Sequence, residues 1–214
     1  MVGTHGSVTL TSIGWDRSGA CFCYGEQMNR FWVAVVSSSV FSLLMAPLAF
    51  ANPDFPDLSG YAEVDAANYR ADMGYGNVGA RFRTPDGLYC TLDQNIRATS
   101  GQGVFCRGAL PGADGATSVG GFDAIPVWGQ YDSSKPETVD HLDEGGVWKK
   151  VTIDPVSYHL LPSGSKITFR AWPSMKRYLT CAVDRAGMTA CVSYYGQDTD
   201  DHGFVLKPEG SLVF

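Results

Sequence analysis

Two pairs of cysteines, each centred on a turn-forming run, constrain the fold of residues 52–214 more than any other feature of the sequence. Cys181 and Cys191 are equidistant from Ala186 in the run Asp184-Arg185-Ala186-Gly187, and Cys90 and Cys106 are centred on the polar run Ala98-Thr99-Ser100. An even number of cysteines in an oxidising compartment reads as a set of bridges, and four of them allow three connectivities. The local context argues for Cys90 with Cys106 and Cys181 with Cys191, each bridge stapling its own hairpin and worth roughly 3 kcal/mol of loop closure. The two units also read as a diverged repeat. Phe82-Arg83 leads to Tyr89-Cys90-Thr91-Leu92-Asp93, and Phe169-Arg170 leads to Thr180-Cys181-Ala182-Val183-Asp184; a glycine and then the second cysteine follow in each.

The oxidising compartment is expected from an export signal that opens at Met28. Met28-Asn29-Arg30 is a short positive region, Phe31 to Leu48 a mostly apolar stretch, and Ala49-Phe50-Ala51 a small-x-small cleavage site. Residues 1–27 then read as a non-native extension from a misplaced start, 28–51 as a signal peptide, and 52–214 as one secreted β domain. Left uncleaved, the signal segment is the chain's one expected route to a membrane, since it approaches the roughly 18–20 apolar residues that span a bilayer. Of the six cysteines, Cys21 and Cys23 precede the signal.

Strand signals dominate the rest. Val78 to Phe82 alternates with period two, Pro85-Asp86-Gly87 turns into Leu88 to Asp93, and Val147 to Ile153 alternates again. Lys166 to Trp172 follows the turn Pro162-Ser163-Gly164. Tyr178 to Asp184 is expected to pair with Met188 to Tyr194, and Gly203 to Leu206 to pair across Pro208-Glu209-Gly210 with Ser211 to Phe214. Residues 132–146 read as polar loop. Ser59 to Tyr69 is the one plausible helix, with Ser59 as its cap and Gly60 against it. The expectation is an all-β domain, a small sandwich or open barrel of short antiparallel strands with one short N-terminal helix and two hairpin disulfides.

Three segments, Phe82-Arg83-Thr84-Pro85-Asp86-Gly87-Leu88-Tyr89-Cys90, Cys106-Arg107-Gly108-Ala109-Leu110-Pro111-Gly112, and His202-Gly203-Phe204-Val205-Leu206 before Phe214, carry a resemblance to uncharacterised exported proteins of mycobacteria and related actinobacteria. The resemblance spans most of residues 52–214. It implies residence in the cell envelope or outside the cell, and it brings no catalytic residue with it.

No reaction is specified by the residues. Net charge is −6, and removing residues 1–51 takes away Arg17, Arg30, Asp16 and Glu26, two of each sign, so nothing basic is left over for nucleic acid. His141, His159 and His202 are the histidines beyond the signal, and no serine stands in a Gly-x-Ser-x-Gly elbow. His202 is the strongest catalytic candidate, with Asp200 and Asp201 beside it to orient the imidazole. Asp198, Asp200 and Asp201 offer closely spaced oxygens to calcium but lack EF-hand spacing, and His141-Leu142-Asp143-Glu144 is a similar acidic run. No cofactor is expected. Trp128, Trp148, Trp172, Tyr194 and Tyr195 are the candidate ligand-binding residues, a stacking face for a glycan or an apolar face for a protein of the envelope. The expected role is a non-catalytic binding or interaction module; the alternative is a secreted hydrolase with its site near His202.

Overall fold

The computed structural model describes residues 55–97, 101–143, 145–196 and 201–214. Strands β1 (Ala62–Val64), β2 (Arg70–Gly74), β3 (Asn77–Arg83), β4 (Tyr89–Asn95), β5 (Gln102–Arg107), β6 (Ser118–Phe122) and β7 (Val127–Gly129) come first. They are followed by β8 (Thr138–Leu142), β9 (Trp148–Thr152), β10 (His159–Leu160), β11 (Ser165–Phe169), β12 (Tyr178–Val183), β13 (Thr189–Tyr194), β14 (His202–Leu206) and β15 (Leu212–Val213). One sheet runs β1-β11-β12-β13-β14-β15. A second runs β10-β3-β4-β5-β6-β7, with β2 also paired to β3, and β8–β9 form a separate hairpin.

The inner faces of the two large sheets share one core. Alternation delivers Cys90, Leu92 and Gln94 from β4, Ile167 and Phe169 from β11, and Leu179, Cys181 and Val183 from β12, all but sealed from solvent. Two glutamines at the centre of this core join the sheets. Gln94 Nε2 donates to Gln102 Oε1 (2.9 Å), Gln94 Oε1 accepts from the Ala171 amide (2.7 Å), and Gln102 Nε2 donates to the Tyr194 carbonyl (2.8 Å). Buried amides left unpaired are costly, so this network fixes how one sheet sits on the other.

Both disulfides form as the turn-centred spacing predicts. Cys90 lies directly opposite Cys106, and Cys181 opposite Cys191, each with a Cα–Cα distance of 4.1 Å, the close kind of antiparallel pair. Asp184 makes the second hairpin's turn by accepting from the amides of Ala186 and Met188, both at 2.7 Å. The two cysteine units have the same plan, since β3-β4-β5-β6 and β11-β12-β13-β14 are both antiparallel meanders bridged between their second and third strands.

Each meander is completed by a segment belonging to the other. β1 pairs in parallel with β11, matching Val64 to Ile167, whereas β10 pairs in parallel with β3, matching His159 to Phe82. β10 takes the end of the β3 edge that β2 leaves open, and the Tyr69 hydroxyl closes the junction by donating to the Leu160 carbonyl (3.0 Å). These two parallel pairings depart from the expected antiparallel plan.

Two further expectations are corrected. Residues 59–69 are not an α-helix: they form β1 and a short 3₁₀ turn, Ala66–Tyr69, whose cap is Asp65 and not Ser59. Gly60 and the β-branched Val64 disfavour a helix, and the open edge of β11 offers three residues of pairing instead. Residues 132–146 are not all loop, because β8 lies within them and pairs with β9 through five positions from Thr138–Thr152 to Leu142–Trp148.

The outer face of the second sheet is partly covered too. Arg81 is 8% exposed although it points away from the core, and a Cβ on Gly79 would lie 2.7 Å from Met73 Cε. Met73 of β2 covers part of this face, and the β8–β9 hairpin stands beside it, where Arg81 shares a depression with Val139, Val151 and Ile153.

Candidate functional site

The turn between β2 and β3, Gly74-Tyr75-Gly76, has three successive residues in the left-handed region, with φ of 79°, 51° and 78°. For tyrosine that conformation costs on the order of 1–3 kcal/mol and persists only where its surroundings hold it. Here the β8 backbone holds it. The Tyr75 amide donates to the Asp140 carbonyl (3.3 Å), and a side chain on Gly74 would collide with that same oxygen at 2.5 Å.

The strained turn presents the Tyr75 ring to solvent, 61% exposed, at 4.7 Å from the Trp148 ring, which is 47% exposed. The Tyr75 hydroxyl donates to Asp140 Oδ2 (2.7 Å), and Lys150 Nζ stands 3.3 Å from the other oxygen of that carboxylate. The hydrogen bond from Tyr75 draws the Asp140 carboxyl below its ordinary range, and the same bond pushes the Tyr75 phenol up. An aromatic pair is thus locked to a charged pair at the tip of the hairpin.

His141 Nδ1 lies 3.0 Å from Asp72 Oδ2, so the carboxylate orients the imidazole. This dyad stands between two depressions. One, about 240 Å³, is lined by Tyr75, Trp148, Leu142 and Arg97; the other, about 350 Å³, by Arg81, Val139, Val151 and Ile153. Asp72 and His141 line both. Arg81 Nη2 donates to the Asp72 carbonyl (2.8 Å), but its Nε is buried without a partner in the protein. A histidine–carboxylate dyad serves nucleophilic catalysis when a serine or cysteine hydroxyl or thiol lies within reach. Ser157 lines the larger depression with its hydroxyl turned to the Asp154 carbonyl (2.7 Å).

The Asp93 carboxyl, on β4 beneath this surface, has an oxygen buried without a partner. Burial pushes its pKa up to about 7, against the opposing influence of Asn77 and Arg81. Farther along the same outer face, Arg107 forms a close ion pair with Glu137 and lies over the rings of Tyr131 (4.7 Å), Tyr158 (5.2 Å) and Tyr89 (5.6 Å). The Tyr158 hydroxyl donates to the Glu137 carboxylate at 2.8 and 2.9 Å. Burial would lower the Arg107 pKa, but Glu137 and Tyr158 raise it, so this knot ties the chain before β8 and after β9 to the second sheet.

The five aromatics singled out in the sequence make no ring contact with one another among the described residues. Trp148 pairs with Tyr75. Tyr194 stacks on Tyr178 (4.5 Å, 24° between planes), Tyr195 meets His202 edge-on (5.8 Å), and Trp128 and Trp172 stand part-exposed on β7 and on the turn after β11. The Tyr195 hydroxyl is held at 3.1 Å from both the Gln102 carbonyl and Asp123 Oδ1. His202 opens β14 opposite Ser193, and Asp201 accepts from the Tyr195 amide (3.3 Å); Asp198 and Asp200 lie outside the described residues, as does Glu144. Among the described residues no group of three His, Cys, Asp or Glu side chains stands in ligating geometry, and no helix is long and apolar enough to cross a membrane.

Sequence reasoning singled out Trp148 and His141 but missed Tyr75, Asp72, Arg81 and Arg97. The signal that was there to be read is the tyrosine between two glycines, a tripeptide able to hold a side chain in a conformation that costs energy. Comparison with protein-family models, with curated proteins and with solved structures returns no match for this chain.

Proposed function

We propose that residues 52–214 are an exported, disulfide-stapled β domain that works by binding, without catalysis, in the cell envelope or outside the cell. The observation that carries the reading is the Tyr75–Trp148 pair: two large aromatic rings that pack on each other and stay part-exposed, one of them carried by a strained turn. Buried cross-strand disulfides accord with an oxidising compartment, and Met28 to Ala51 supplies the route to it. The binding face is the tip of the β8–β9 hairpin with the turn after β2.

Co-sedimentation with a washed cell-envelope preparation from an actinobacterium tests the binding reading. The oxidised protein is expected to be retained, and Trp148→Ala and Tyr75→Ala to lose that retention at unchanged melting temperature. Equal retention of both variants overturns this choice of face. N-terminal sequencing of secreted material tests export: Asn52 is the expected first residue, and peptides from residues 1–27 in native protein overturn the start at Met28.

A further inference from the structure

The geometry points to a neutral oligosaccharide as the ligand of this face, an inference that rests on the binding role proposed above and names its ligand class. A pyranose ring has two kinds of surface: faces of C–H bonds, and a rim of hydroxyls that each donate and accept. The two depressions offer both complements in sequence. Tyr75 and Trp148 pack on one another and both stay part-exposed beside the smaller depression, leaving aromatic surface whose negative π density attracts the weakly positive C–H hydrogens of a sugar ring.

Next to them, Asp72 and His141 line both depressions, so one hydroxyl-bearing residue can engage the dyad while its neighbour lies on the rings. Beyond the dyad, Arg81 lines the larger depression, with its Nη2 held by the Asp72 carbonyl and its Nε sealed from solvent. Val139, Val151 and Ile153 supply apolar wall around it. Donors, Arg97 and His141, and carboxylate acceptors, Asp72 and Asp154, both line the two depressions, as hydroxyls require. Charged side chains along the track balance, Asp72, Asp140 and Asp154 against Arg81, Arg97 and Lys150, so no net field draws a polyanion to it.

The test is isothermal titration of the full oxidised chain with cellotetraose, maltotetraose, mannotetraose and chitotetraose, and with tetragalacturonate as the charged counterpart. At least one neutral tetrasaccharide is expected to bind at millimolar or lower concentration. Trp148→Ala, Tyr75→Ala and His141→Ala, all at exposed positions, are each expected to weaken it roughly tenfold or more. Failure of all four neutral sugars to bind overturns the inference, as does binding that all three substitutions leave unchanged, or tighter binding of tetragalacturonate. The two readings fail differently. Envelope retention that still depends on Trp148 when no sugar binds leaves the face standing with a protein partner, whereas retention and sugar binding both indifferent to Trp148 remove the face itself.

Discussion

The buried Asp93 is expected to make stability fall as pH rises towards neutrality and level off above it. Burial raises its folded pKa to about 7 from an ordinary 3.8, so the folded state holds a proton that the unfolded chain releases. A carboxyl whose pKa is raised on folding contributes its full stabilisation below the unfolded value and loses it as pH climbs through the folded one. Between pH 5 and pH 7 the unfolded Asp93 is ionised and the folded one protonated, and each unit there is worth about 1.36 kcal/mol. The wild-type protein is expected to lose about 2.7 kcal/mol between pH 5 and pH 8 from this residue. Asp57, Asp132, Asp140 and Asp143, all drawn below the ordinary range by hydrogen bonds, are charged in both states over that window and leave the slope alone. Asp93→Asn keeps the shape and removes the proton, so its profile is expected to be flat over the window and to exceed wild type at pH 8. Urea unfolding of the oxidised protein at pH 5, 6, 7 and 8 reads the effect. With a slope of about 2 kcal/mol per molar urea, the wild-type midpoint should drop by about 1.4 M while the variant holds still. Parallel profiles for the two proteins, or a wild-type midpoint that rises with pH, refute the reasoning.

Replacing both members of either cysteine pair by serine is expected to cost about 3 kcal/mol, nearly the same for the 16-residue and 10-residue separations because closure entropy grows only with the logarithm of length; chemical denaturation of the two double variants checks it. Gly79→Ala should unfold or badly destabilise the protein, since the new methyl would lie 1.9 Å from the Leu92 carbonyl on β4, whereas Gly87→Ala meets no atom within 4 Å and carries only the strain of its φ of 91°. Thermal melts of the two variants side by side separate crowding from backbone strain. Glu137→Gln removes the charge facing Arg107 in a part-buried setting and is expected to lower stability by about 2 kcal/mol, less than a fully buried pair would lose; a melt that matches wild type refutes a structural role for the knot.

What the chain discloses in advance follows from how local each feature is. Both disulfides were legible because each pair brackets one turn, and the Pro85-Asp86-Gly87 and Pro208-Glu209-Gly210 turns mark hairpins that form as expected, β3–β4 and β14–β15. β8 was hidden because Thr138-Val139-Asp140-His141-Leu142 is half polar and lies on the surface, leaving little alternation to detect. The helix expected at Ser59 was a weak local preference overruled by a distant edge. The site was illegible for the same reason on a larger scale. Nothing near Trp148 announces that Tyr75 will meet it, or that Asp72 will orient His141, because those encounters depend on where the hairpin lands on the second sheet.

The exchange of β1 and β10 between the two meanders governs the order in which the protein can become itself. A chain that emerges from its N-terminus delivers β3 to β6 and their cysteines long before residues 159–160 exist to cover the remaining edge of β3, and β1 must wait for a partner strand that begins at Ser165. The first half can therefore be covalently locked through Cys90 and Cys106 while one of its edges is still incomplete and its core face bare. Such an intermediate exposes unpaired backbone to any neighbouring chain. Oxidation before the second half arrives is then a route to clumping, and the yield of soluble protein should depend on how soon the chain beyond Leu160 joins the first half where the cysteines oxidise.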